Sequence, residues 1–193
     1  MSPTQLIHHT TIPSVLALKA ALDARDGDTG DHSEATAVLA VAVAQRLGLD
    51  EAEVEHVALV HDVGKIAIPD AILRKRGPLD TDEWREMKLH PEHGERIVEA
   101  VPDLGHLGRS IRAEHERWDG GGYPDGLSGE EVPLSSRIVL ACDAFLAMVE
   151  RRPYRRSLTP SAARRELQRH AGTQFDPRVV EALLDELSEP AAA

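Results

Sequence analysis

Val60-His61-Asp62-Val63-Gly64-Lys65-Ile66-Ala67 sets a histidine and an aspartate side by side in a run that is otherwise almost wholly apolar. The periodicity from Val54 to Val63 predicts a buried helix, with Gly64 as its C-terminal stop. Asp62 then falls in the last turn, where the helix dipole disfavours a carboxylate. Burying a carboxylate without a partner is expensive. A cation must answer it, either Lys65, three residues on, or a metal ion. On these residues alone both answers stay open: a core histidine beside an Asp–Lys pair, or the start of a metal centre.

Working outward, the pattern stays helical. Pro13 to Arg25 is periodic, Asp26 to Asp31 is a polar break, and a second helix runs from Thr29 or Gly30 to Leu47, before Gly48. Asp50 with Glu53 has capping-box spacing and opens the helix that carries His61 and Asp62; Asp80 with Glu83 repeats the signal. Thr159-Pro160 and Asp176-Pro177 each put a capping residue before a proline suited to a first helical position, and predict helices to about His170 and about Leu187. Asp119 to Pro133 resists a helical reading. It is rich in glycine and holds Pro124 and Pro133, so it is a shaped loop. No internal repeat or interdomain linker stands out. The expectation is one all-α domain over residues 13–187, with a lead-in at 1–12, where His8 and His9 are solvated, and a tail at 188–193.

Composition narrows the function classes. Aromatic residues are only 3% of the 193, so the core must come from Ala, Val, Leu and Ile, which favours helix packing over an aromatic-rich sandwich. Net charge is −11 and no basic stripe appears, which argues against binding duplex nucleic acid. Cys142 is the one cysteine, so no internal disulfide can form, and a cytoplasmic setting fits. No apolar run reaches membrane-spanning length, and the N-terminus lacks a signal-peptide core.

Against these apolar helices, certain polar residues are out of place. His32 begins the second helix, and His61 and Asp62 end the third. His90 precedes Pro91, Glu114-His115-Glu116 close a helix that begins near Val101, and Asp143 interrupts the apolar run Ile138 to Leu146. A buried aspartate needs a partner; for Asp143 the structural choice is Arg137 or Arg152. Taken together, the intruders are histidines and carboxylates delivered one or two per helix, the way helical proteins build metal centres. The mixture of imidazole and carboxylate without thiolate suits Fe, Mn, Ni or Zn in a site with open positions. One aspartate can bridge two ions, and two ions about 3.5–4 Å apart suit phosphoryl transfer. Cys142 reads as a small core residue rather than a ligand or nucleophile.

Four stretches in order resemble the HD-GYP domain family, a branch of the HD metal-dependent phosphohydrolases. They are His61-Asp62-Val63-Gly64-Lys65, Ile68-Pro69-Asp70-Ala71-Ile72-Leu73, Met87-Lys88-Leu89-His90-Pro91-Glu92-His93-Gly94 and His115-Glu116-Arg117-Trp118-Asp119-Gly120-Gly121-Gly122-Tyr123-Pro124. Gly126-Leu127, Gly129-Glu130, Arg152-Pro153-Tyr154-Arg155 and Gln174-Phe175-Asp176-Pro177 extend the likeness to roughly residues 15–187. The resemblance implies an all-α HD-type bundle with a Gly/Pro-rich loop and a di- or trinuclear centre, often of iron or manganese. It also implies hydrolysis of cyclic di-GMP to the linear dinucleotide pGpG and, in some members, on to GMP. By position, His32, His61, Asp62, His90, His115 and Asp143 match the family's metal ligands, with Asp62 as the bridge. Lys65 matches the lysine that supports the scissile phosphate. Gly122-Tyr123-Pro124 match the loop beside the site, which in the family is also linked to contacts with diguanylate cyclase domains. Arg152 and Arg155 sit where basic residues approach the substrate phosphates.

This chain also departs from the pattern. Glu114 replaces the first of two adjacent histidines, as a ligand that adds negative charge to a site meant for a dianion. Leu146 stands where a second aspartate follows Asp143. Asp28, one turn before His32, lies where three-metal members place a glutamate; it is either a third-metal ligand or a solvated loop acid. Three functions remain: an active phosphodiesterase of cyclic di-GMP, a weakened module that binds nucleotide or partner, or the same chemistry on another phosphoester.

Overall fold

The computed structural model describes residues 12–25, 30–150 and 157–188, without the side chains of Gly30 and Asp31. All of its regular structure is helical: α1 (Pro13–Arg25), α2 (Gly30–Leu47), α3 (Glu51–Val60), α4 (Asp70–Leu73), α5 (Thr81–Met87), α6 (His90–Glu99), α7 (Gly108–Arg112), α8 (Leu134–Val149), α9 (Pro160–His170) and α10 (Pro177–Glu186). Short 3₁₀ turns cover His61–Ala67, Gly105–Leu107 and Gly129–Glu131. The all-α expectation holds.

α3 is the axis of the molecule. Every residue from Val54 to Val60 is buried, as expected for a helix enclosed on all sides. It packs against α2 and α8, which contribute Ala37, Ala40, Val43, Ala44, Ile138, Val139, Ala141 and Cys142 to one apolar core. Small and β-branched residues let these helices approach closely, as the scarcity of aromatics predicted. Cys142 packs there, fully buried.

Several predicted caps are in place. Asp80 and Glu83 form a reciprocal capping box at α5. Thr159 and Asp176 cap α9 and α10, with proline following each. Asp50 caps α3 by accepting from the Ala52 N–H at 3.0 Å, whereas Glu53 accepts from the Ser135 hydroxyl at 3.2 Å.

Gly64 is not a helix stop. α3 ends at Val60, and the chain continues as a 3₁₀ turn straight through Gly64, whose φ is not positive. The reason for glycine is a close approach: a Cβ at this position would lie 1.8 Å from the His90 carbonyl oxygen and 2.5 Å from the Gly94 nitrogen. The turn bearing His61 and Asp62 is thus pressed onto the start of α6, which bears His90. The helix expected from Val101 is also shorter. Turns lead into α7, and Glu114 to Glu116 follow its end.

The loop after Asp119 is shaped as expected. Asp119 and Ser128 bridge across it, and the Tyr123–Pro124 peptide is cis. The lead-in, most of the C-terminal tail, Asp28, Arg152 and Arg155 lie outside the described residues.

Candidate metal centre

Three histidines are held by the same device. His61 Nδ1 donates to the Ala58 carbonyl at 2.8 Å, and His90 Nδ1 donates to the Met87 carbonyl at 2.7 Å. His32 Nδ1 lies 2.8 and 2.9 Å from the two carboxylate oxygens of Glu150. A hydrogen bond at Nδ1 fixes the ring and turns Nε2 inward, as in imidazoles that ligate metals, and at His32 Nε2 is itself bonded to Asp143.

These Nε2 atoms converge with carboxylates. Asp62, His90, Glu114 and His115 each offer one ligand atom within 4.8 Å of the others. His90 Nε2 lies 3.2 Å from Glu114 Oε1, 3.6 Å from Asp62 Oδ1 and 3.1 Å from His115 Nε2. The second oxygen of Asp62 faces the other way, 3.5 Å from His61 Nε2. Beyond it, His32 Nε2 meets Asp143 Oδ1 at 2.7 Å. Asp62 thus has Oδ1 on the His90 side and Oδ2 on the side of His61 and Lys65, while His32 and Asp143 pair with each other outside the four-residue cluster.

Glu114 supplies the test of fit. It is only 2% exposed, and neither of its carboxylate oxygens accepts a hydrogen bond; His90 is close to one but off the bonding line. A buried carboxylate left in that state carries a large desolvation cost. A divalent cation among these nitrogen and oxygen donors would satisfy it, and the set contains no thiolate.

Lys65 also answers Asp62. Its ammonium donates to Asp62 Oδ2 at 2.6 Å, so the ion-pair reading and the metal reading of this aspartate meet in one place. Burial opposes ionisation of Asp62, but the charges of Lys65, His61 and His90 outweigh it and hold the carboxyl far below its usual range. For His32 the Asp143 hydrogen bond dominates and, with Glu150, raises the pKa against burial. Burial lowers that of His115. Arg137 is not the partner of Asp143: its guanidinium is engaged by Asp176 at 2.7 Å. Leu146 is partly buried and packs on the apolar core.

At the mouth, the Tyr123 ring stacks on His115, with centroids 5.0 Å apart and planes at 28°. The Lys88 ammonium lies 5.1 Å from the same ring. Gly122 permits the contact, since a Cβ there would fall 2.4 to 2.6 Å from the backbone of residues 115–117. Sequence reasoning assigned no role to Glu150 or Lys88. Glu150 falls at a helix end where acids are common. The basic side of Lys88 could have been noted only once the loop was known to fold back over it.

A site of paired histidines and aspartates at the ends of packed helices defines the class. The sequence matches the HD-domain family over residues 17–179, and the chain belongs to that family. Its resemblance to the HD-GYP branch stands with that match. The chain is 45% identical over 172 residues to the cyclic di-GMP phosphodiesterase response regulator RpfG of Xanthomonas campestris, covering 86% of this chain and 46% of that protein. It is 38% identical over 188 residues to the 3'3'-cGAMP-specific phosphodiesterase 2 of Vibrio cholerae, covering 95% of this chain and 36% of that one. The chain thus spans less than half the length of these relatives. A crystal structure of a Vibrio cholerae phosphodiesterase specific for cyclic GMP-AMP has the same fold, with a TM-score of 0.70 at 19% identity, over 91% of this chain and 48% of that one. Among the described residues, no helix is long and apolar enough to cross a membrane.

Proposed function

We propose that this chain, as a unit spanning residues 13–187, is a metal-dependent phosphodiesterase that opens cyclic di-GMP to pGpG and carries some of it on to GMP. The observation that carries the reading is the cluster of Asp62, His90, Glu114 and His115, with His61 3.5 Å from the second oxygen of Asp62; His32 and Asp143, paired at 2.7 Å, would complete the set. These seven side chains would hold two divalent ions, with Fe or Mn suited to the donor set. Bound there, the ions would supply a water of lowered pKa and positive charge for the phosphoryl oxygens.

The protein's own groups do the rest. Lys65 holds Asp62 in place through its ammonium, which would also support the scissile phosphate. Arg152 and Arg155 would bind the phosphates, and Gly122-Tyr123-Pro124 would form one wall of the cleft. Asp28 is the candidate ligand for a third ion. The exposed side of the same loop is the proposed contact for diguanylate cyclase domains.

Two observations keep a second reading. Glu114 puts an extra anion beside His90, which favours a catalytically weakened module that binds nucleotide or a partner. The similarity to cGAMP-specific enzymes makes the guanine preference a separate question. Protein purified without oxygen or chelator is analysed for metals, then incubated with Mn or Fe and either cyclic di-GMP or 3'3'-cGAMP, and products are separated by chromatography. Linear dinucleotide that disappears in Asp62→Ala supports the enzyme, and the faster substrate gives the base preference. Nucleotide binding without product supports the second reading.

A further inference from the structure

A buried carboxylate that no proposed step uses lies next to the metal centre. Glu116 is 1% exposed, in the turn that follows α7. Its Oε1 accepts two successive backbone N–H groups from the far side of the loop, Asp125 at 2.6 Å and Gly126 at 3.0 Å. Gly126 has φ +69°, the left-handed conformation that lets consecutive N–H groups converge on one anion. Oε2 is buried too and accepts no hydrogen bond. An apolar side chain would fill this space at less cost in desolvation. A carboxylate here makes sense only through what it holds.

What it holds is the corner of the loop that carries Tyr123. The Tyr123 N–H donates to the His115 carbonyl at 3.3 Å, and its ring lies on the His115 ring. Backbone bonds tie the two ends of the loop, Asp119 N–H to the Thr173 carbonyl and Gly129 N–H to the Trp118 carbonyl, and two arginine pairs fasten it from the outside. Arg112 grips the Asp125 carboxylate at 2.6 and 2.8 Å, and Arg117 grips Asp119 at 2.6 and 2.9 Å, both pairs partly open to solvent. Both pairs are bidentate, the stronger form of a surface ion pair, but they are open to water and weakened by salt. The Glu116 bonds are charge-assisted and shielded from water.

We infer that Glu116 is a positioning residue. By clamping the Asp125 and Gly126 amides it fixes Tyr123 on His115 and makes the loop a rigid wall of the substrate cleft rather than a moving lid. The inference rests on the phosphodiesterase reading for its substrate, but not for its geometry. Three variants test it. Glu116→Ala removes the acceptor, Glu116→Asp shortens its reach and Glu116→Gln keeps an oxygen in place. Amide hydrogen exchange, read without metal or substrate, should accelerate at Asp125 and Gly126 in the Ala and Asp variants and stay near wild type in Gln. KM for cyclic di-GMP should rise about tenfold in Ala and Asp with kcat little changed, and Gln should restore most of it. Metal content should be unchanged in all three. If Ala does not fold, the contrast of Asp with Gln decides. Unchanged exchange at both amides, wild-type KM in the Asp variant, or loss of metal in step with activity would overturn the inference. Should the wild type hydrolyse nothing, the proposed activity fails by itself. Exchange, with the Kd for cyclic di-GMP in place of KM, then still judges Glu116.

Discussion

The resemblance to the HD-GYP family leads one to expect two adjacent histidines where this chain has Glu114-His115. Two histidines would leave the centre one negative charge poorer, and better suited to a dianionic substrate. Glu114→His should therefore raise kcat/KM on cyclic di-GMP by on the order of tenfold and alter the metal recovered with the protein. Steady-state kinetics with elemental analysis measure both, and no change in either would refute this account of the substitution. Glu150 acts one step further out, on His32 Nδ1. Glu150→Ala should weaken metal affinity about 10- to 100-fold without unfolding the chain, as read by metal titration calorimetry alongside circular dichroism. Residue type alone marked His32, His61, Asp62, His90, Glu114, His115 and Asp143 as costly where they stand, and the structure gathers Asp62, His90, Glu114 and His115. Glu150 was not marked by its sequence at all, and Glu116 was marked as out of place without a role. A carboxylate near a helix end is ordinary, and only the folded chain shows that one orients a ring and the other gathers loop amides.

At the scale of elements, the helices beginning at Thr81, Pro160 and Pro177 were legible because a cap is a local bargain between a side chain and its own backbone. The 3₁₀ turn from His61 to Ala67 was not. Its glycine answers a contact with α6, some thirty residues away, and nothing local distinguishes that need from the need for a left-handed stop. The distinction is testable. Were Gly64 a stop, alanine would strain only φ. Since it is a close approach, Gly64→Ala must push α6 off the turn, at a cost of about 3 kcal/mol, and separate His90 from Asp62. Denaturant unfolding and metal content of the variant should fall together. Wild-type stability with full metal content would contradict the packing described here.

For the molecule as a whole, the proposed centre would set bound cations against Asp62, Glu114 and Asp143. Lys65 and the histidines already answer Asp62 and Asp143, but Glu114 accepts no hydrogen bond, so ions bound there would be stabilising. Ions present at about a thousand times their Kd contribute roughly 4 kcal/mol of stability. Removing them with a chelator should lower Tm by about 10 °C for a domain of this size, reversibly on adding Mn or Fe. A thermal scan with and without chelator is the measurement, and an unshifted Tm would mean that the centre holds no ions. One further consequence concerns heredity. The locks on His61 and His90 are main-chain carbonyls, which every amino acid carries, so no replacement at Ala58 or Met87 can delete them. The lock on His32 is a side chain, and a single codon change at position 150 can abolish it. Natural variation that tunes this site without dismantling it has its easiest foothold on the His32 arm.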